Sequence, residues 1–220
     1  MRRGLALAWL LPLAAGCPAF TTMGPARTAP VGSSQAWFSL GAYRTTLATG
    51  TAPGPVDRSR VWLPLFEGGA RFGLADRWDL AIRGGTGGAT IAPRFQLGRS
   101  PDPNTGLDFL LEGSVGYTSL LAGSRDEVVS GVTFGAALPV GWNLGAGHQL
   151  VATPRIAWMA DGVLGGAVLS GGSLAMVLLL TTGARGPWYL VPECGVASVS
   201  GGNAFEGPVV QCVLGLIGPR

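Results

Sequence analysis

Residues 107–119 read Leu107-Asp108-Phe109-Leu110-Leu111-Glu112-Gly113-Ser114-Val115-Gly116-Tyr117-Thr118-Ser119. Leu107, Phe109, Leu111, Val115 and Tyr117 share one side of an extended chain, and Asp108, Glu112, Ser114, Gly116 and Thr118 share the other. A period of two is the mark of a strand whose two faces meet different surroundings; a helix would gather residues three and four apart. The polar side decides the class. It carries single carboxylates among Gly, Ser and Thr, not the large polar and charged side chains that a soluble sheet turns to water.

The pattern recurs on both sides of this stretch. Trp78, Leu80 and Ile82 oppose Asp79, Ala81 and Arg83. Ile91, Phe95 and Leu97 oppose Thr90, Arg94 and Gln96, while Leu150, Ile156 and Trp158 oppose Gln149, Thr153 and Arg155. In 61–74, Trp62, Phe66, Ala70, Phe72 and Leu74 oppose Glu67, Gly69, Arg71 and Gly73, with Val61, Leu63 and Leu65 blurring the start. Together these predict strands at 36–47, 60–74, 77–85, 88–98, 106–119, 127–141, 147–160, 172–183, 187–199 and 203–217. Ten antiparallel strands (eight to twelve are possible) follow, joined by short turns such as Gly84–Gly88 and Ser200–Asn203. Val163–Thr182 is the one competing stretch: it is apolar enough for a single membrane helix, or for a turn leading into the strand Gly172–Gly183.

Composition agrees with an unusual surface. Gly accounts for 37 of 220 residues, more than twice the usual ~7%, and only 12% of residues are charged against a usual ~25%. The apolar content excludes disorder, and the glycines lack the three-residue period of collagen. Every basic residue is Arg, and the arginines are scattered singly, which argues against a nucleic-acid surface.

Taken whole, residues 36–217 resemble the small outer-membrane β-barrel proteins of Gram-negative bacteria. The resemblance implies an all-β, antiparallel, up-and-down transmembrane β-barrel in the bacterial outer membrane, with lipid as its partner. Bulky apolar residues would face lipid and small or charged ones a narrow lumen. Trp37, Trp62, Trp78, Trp142, Trp158 and Trp188, near strand ends, would form the interfacial girdles. The chain departs from the pattern in its last strand, which ends Leu216-Ile217-Gly218 without an aromatic residue.

The N-terminal part reads as an address. Arg2 and Arg3 precede the apolar run Leu5–Leu13, and Ala14-Ala15-Gly16-Cys17 follows, so 1–16 is a secretory signal. The end of that run also resembles a lipobox, with Leu13 four residues before Cys17, which would make Cys17 the lipidated residue; an ordinary cleavage site is the alternative. Residues 17–35, rich in Pro, Thr, Ala and Gly, then read as a flexible tether ahead of a barrel domain at 36–218.

The candidate chemistry lies on the lumen faces. Glu67, Arg71, Asp79, Arg83, Arg94, Asp108, Glu112, Arg155 and Glu193 are nearly balanced in sign. They read as a ladder of buried ion pairs that fills the interior of a lipid-anchored structural or interaction protein, or as the lining of a narrow pore or of a lipocalin-like barrel that binds a small apolar ligand. Cys194 and Cys212 would face each other across a hairpin centred near 203, as a disulfide or as two small apolar residues. No metal or cofactor motif is present. The single histidine, His148, follows Gly145-Ala146-Gly147 at a turn with no adjacent nucleophile, so a hydrolase is not expected. Ser100–Asn104 and Ser124–Glu127 are the loops that would meet a protein partner.

Overall fold

The computed structural model describes residues 21–49, 57–86, 88–121, 128–160, 166–183, 186–200 and 208–219. Eleven strands follow in chain order: β1 (Ser34–Thr49), β2 (Asp57–Ala75), β3 (Trp78–Gly85), β4 (Gly88–Gly98), β5 (Leu107–Leu121), β6 (Val128–Ala137), β7 (Val140–Gly145), β8 (His148–Ala160), β9 (Ala167–Gly183), β10 (Gly186–Ser200) and β11 (Val209–Pro219). Each pairs antiparallel with its neighbours, and β1 pairs with β11 from Gln35↔Pro219 to Arg44↔Val210, which closes the sheet on itself.

The barrel has ten staves, because β6 and β7 are two halves of one. The stave breaks at Leu138-Pro139, where proline has no N–H to give to the ladder. The Leu138 N–H turns to the Pro154 carbonyl (3.1 Å), and Leu110 N–H reaches the Pro139 carbonyl (2.9 Å). The predicted strand 127–141 thus continues to Gly145 after a bend. The apolar run that competed as a helix is strand β9, beginning at Ala167 rather than at residue 172. It carries apolar residues on both of its faces, with Ser173 the inward polar exception, bonded to Glu193. Outward stand Leu174, Met176 and Leu180; inward stand Leu169, Ala175 and Val177.

The distribution of side chains is inside out. Phe38 is 52% exposed and Trp62 56%, and Phe66, Ile82, Ile91, Leu111, Phe134, Ile156 and Leu214 are exposed as well, while Asp79 and Asp108 are fully buried. The predicted alternation of β3, β4, β5 and β8 is the one seen. Trp62 and Trp158 lie toward one rim, and Trp78, Trp142 and Trp188 toward the other, all on the outer face. Trp37 is an exception to the predicted girdle. It points inward and is 6% exposed, with its ring against Gly69, where an added Cβ would lie 2.6 Å from it.

The two rims differ. One carries the start of β1, the end of β11 and the two-residue turns Asp76-Arg77 and Ala146-Gly147; the other carries the ends of β1, β3, β5, β8 and β10. These are called the turn rim and the loop rim below. Ser100–Asn104 lies at the turn rim, and Ser124–Glu127, the other loop expected to meet a partner, lies outside the described residues.

Candidate functional site

The interior is the only part of the described molecule where polar groups converge. Its wall is two-sided. Charged and amide side chains gather on β2 to β5 and the start of β8, whereas β9 to β11 present mainly Leu169, Ala175, Val177, Val191, Ala197, Val213 and Ile217. All nine residues expected in the lumen point into it. Five of them form one cluster: Glu112 meets Arg83 (3.2 Å), Arg155 (3.6 Å) and Arg94 (3.7 Å), and Arg94 also meets Asp79 (3.4 Å).

The other four do not complete that ladder. They turn to a length of chain whose own pattern offers no reason to place it there. Residues 21–30 of the expected tether run inside the barrel instead of trailing from it, and Met23 and Ala26 are buried. The chain enters at the turn rim, where Pro30–Ser33 forms a turn closed by Ser33 N–H on the Pro30 carbonyl (3.0 Å). Gly32 and Ser33 then bond Gly73 on β2 at 2.9 and 3.0 Å.

Most polar contacts along this segment follow one scheme: wall side chains satisfy its main chain. Glu193 accepts the N–H groups of Thr22 (2.8 Å) and Met23 (3.1 Å), and Gln149 Oε1 that of Ala26 (2.7 Å). Gln96 Oε1 accepts the N–H of Thr28 (2.8 Å), and Asp79 Oδ2 that of Ala29 (2.8 Å). The carbonyls are met by arginines and an amide: Arg83 (2.6 Å) and Arg155 (3.2 Å) on Thr21, Arg71 on Thr22 (3.2 Å), Arg94 on Pro25 (3.2 Å) and Gln96 Nε2 on Ala26 (3.1 Å). Side-chain contacts are fewer. Thr21 donates to Glu67 (2.8 Å), Thr22 meets Thr153 (2.8 Å), Arg99 donates to Thr28 (3.1 Å), and Arg27 is paired with Asp108 (2.5 Å). Asp108 is saturated, since Gln149, Asn143 and the Ser100 N–H also donate to it.

Glycines make the room. An added Cβ at Gly73 would lie 1.9 Å from the Pro30 carbonyl oxygen, and one at Gly215 would lie 2.5 Å from the Met23 sulfur. Gly24 takes φ +127°, a region closed to other residues, and the guanidinium of Arg71 packs where its side chain would be. Arg71 is 2% exposed and, alone among the four lumen arginines, has no carboxylate at ion-pair distance among the described residues. Its only hydrogen bond is to the Thr22 carbonyl, and Nη1 has no partner.

The remaining candidates lie elsewhere. Cys194 and Cys212 are opposite each other on β10 and β11, with Cα atoms 4.1 Å apart, and form a disulfide on the outer face. Cys17 and the signal segment 1–16 lie outside the described residues. The Nδ1 of His148 accepts the Leu179 N–H (3.1 Å) and so caps the β8–β9 edge. Among the described residues no group of three or more His, Cys, Asp or Glu is placed to hold a metal ion. Gln96, Gln149 and Asn143 belong to the site and were not among the expected charges. For Gln96 and Gln149 the inward register in predicted strands was the available signal, whereas Asn143 lies beyond the predicted strand end at 141. No protein-family model matches the chain, and no curated protein matches it.

Proposed function

We propose that this chain is a non-enzymatic outer-membrane β-barrel, a structural or interaction protein whose polar lumen is sealed by its own N-terminal segment. The observation that carries the reading is the inside-out wall. Exposed Phe38, Trp62, Phe66 and Leu111 surround buried Asp79, Asp108, Arg71 and Arg94. Water would penalise that outer surface, because burial of apolar area contributes roughly 25 cal/mol per Å² and here the area remains uncovered. A bilayer rewards it, and a closed antiparallel barrel leaves no unpaired strand edge facing hydrocarbon. The aromatic positions at both rims fit two lipid–water interfaces, and Arg44, 5.9 Å above the Trp62 ring on the outer face, fits a headgroup contact. By the usual arrangement of such barrels, the turn rim would face the periplasm and the loop rim the exterior, with partners meeting the loops there.

The direction of the segment bears on the proposed lipid anchor. Thr21 already lies between Glu67, Arg83 and Arg155, and the four residues back to Cys17 span at most ~14 Å. A lipidated Cys17 would then be carried toward the loop rim and the outer leaflet. Palmitate labelling of wild type, absent in Cys17→Ser, tests the anchor.

The whole reading is tested by membrane fractionation with gel migration before and after heating. Recovery in the outer-membrane fraction with heat-dependent migration is expected; recovery in the soluble periplasm refutes it. The filled lumen also predicts no steady conductance in planar bilayers. A large, steady conductance from the intact protein would establish the narrow-pore alternative.

A further inference from the structure

We propose that the lumen is a peptide-binding site: it recognises an extended segment by its main chain, and residues 21–30 are the occupant supplied by the same chain. A barrel that only needed filling would pair its charges with one another, because an unpaired buried charge is costly. Here the wall is incomplete by itself. Take away the segment, and Glu193 loses two main-chain donors, Gln96 loses a donor and an acceptor, and Arg71 loses its single hydrogen bond. Arg71 is the most telling, being fully enclosed and lacking a carboxylate partner while aimed at the Thr22 carbonyl. These groups are oriented for a peptide, not for each other.

The geometry also specifies the class of ligand. Five N–H groups and four carbonyls of the segment are met by wall side chains, a pattern available to any extended chain. Glycines at 73 and 215 give that main chain its room, and the Met23 side chain fills the space left at Gly215. One side-chain feature adds preference: a basic residue at the position of Arg27 meets buried Asp108. The fitting ligand is therefore an extended peptide, mostly of small residues, with a methionine-sized apolar side chain near its start and one arginine. Covalent attachment gives the resident segment a high effective concentration, so an outside peptide competes only once that link is cut.

The full chain supplies the test. A protease site inserted between Val31 and Gly32, at the turn rim where Val31 is 63% exposed, allows the folded, detergent-solubilised protein to be nicked. The expected result is that the released fragment stays with the barrel through gel filtration and exchanges saturably with a fluorescein-labelled peptide of residues 21–31. N-methylation of that peptide at Ala26 and Ala29, which removes two of the main-chain donors, should weaken binding at least about ten-fold. A Thr28→Ala peptide, which alters a side chain alone, should bind within about three-fold of the parent. The proposal is overturned if the nicked barrel keeps its heat-dependent migration yet sheds the fragment and takes up no labelled peptide. Equal binding of the N-methylated peptide overturns it too. Neither result depends on where the protein resides, so the membrane reading stands or falls separately by fractionation.

Discussion

Gln96→Leu isolates the grip of the wall on the segment. Gln96 is fully buried on β4, and its amide makes four hydrogen bonds: it accepts from Thr28 N–H and donates to the carbonyls of Ala26, Gly98 and Phe109. Leucine has a similar volume, so the change removes polarity with little cavity. On the segment it leaves one N–H and one carbonyl without a partner. Each buried orphan costs roughly 1–3 kcal/mol, so docking of the segment should weaken by roughly 2–6 kcal/mol. That corresponds to an increase in local opening of between about thirty-fold and about twenty-thousand-fold. The β3–β4 and β4–β5 ladders are main-chain bonds and remain. Hydrogen exchange read by mass spectrometry in detergent is the assay: peptides covering 21–33 should exchange faster by at least the lower figure, with β1, β9 and β10 unchanged. Unchanged protection across 21–33 refutes the reasoning. Equal acceleration in the strands also refutes it, by showing that Gln96 holds the wall and not the segment.

Four further outcomes follow from the same geometry. Gly24→Ala forces a side chain into φ +127° and onto the Arg71 guanidinium, and should loosen the segment by roughly 1–3 kcal/mol, read by the same exchange experiment. Cys194→Ser should lower stability by about 3 kcal/mol, judged from the 18-residue separation that the disulfide closes, and urea unfolding of oxidised protein measures it. Leu40→Arg places a charge on the outer face between Phe66 and Leu214; if that face meets lipid, the change should cost roughly 2–4 kcal/mol and reduce assembled protein in membrane fractions. Asp102, in the exposed turn-rim loop, accepts the Asn104 N–H (2.9 Å) and the Thr105 hydroxyl (3.0 Å), which hold its carboxyl below the usual carboxylate range. Its folded value is the lower one, so the loop gains stability above the unfolded pKa and loses it as pH falls through the folded one. Protease cleavage of residues 100–106 should rise only in that acidic window, and it should be insensitive to pH in Asp102→Ala.

The wall was legible because its code is local. Alternation in 78–83 or 107–119 needs no knowledge of the neighbouring strand, and each inward charge could be assigned from its own register. Even the blurred start of β2 had a cause: Leu65 is fully buried and Leu63 packs beside it, in a part of the interior that is apolar on both faces. The partners of the inward charges were not legible. Glu112 collects three arginines from β3, β4 and β8, whereas Glu193 collects none and takes main-chain N–H groups instead. Nor could the segment be placed. Thr21 to Pro30 has no periodicity, and its composition, mostly small residues with Met23 and one charge at Arg27, suits a solvated spacer as well as a main chain gripped by side chains. Trp37 was misplaced for a related reason: nearness to a strand end was read without its register, which matches inward Ser39.

The seam between β1 and β11 acquires a constraint from what precedes it. β1 begins at Ser34, one residue after the turn that sends the segment into the lumen, and the same β1 carries the last pairing needed to close the circle. The turn at Pro30–Ser33 therefore serves two ends at once: it sets the depth at which residues 21–30 lie in the lumen and the register from which β1 begins to pair with β11.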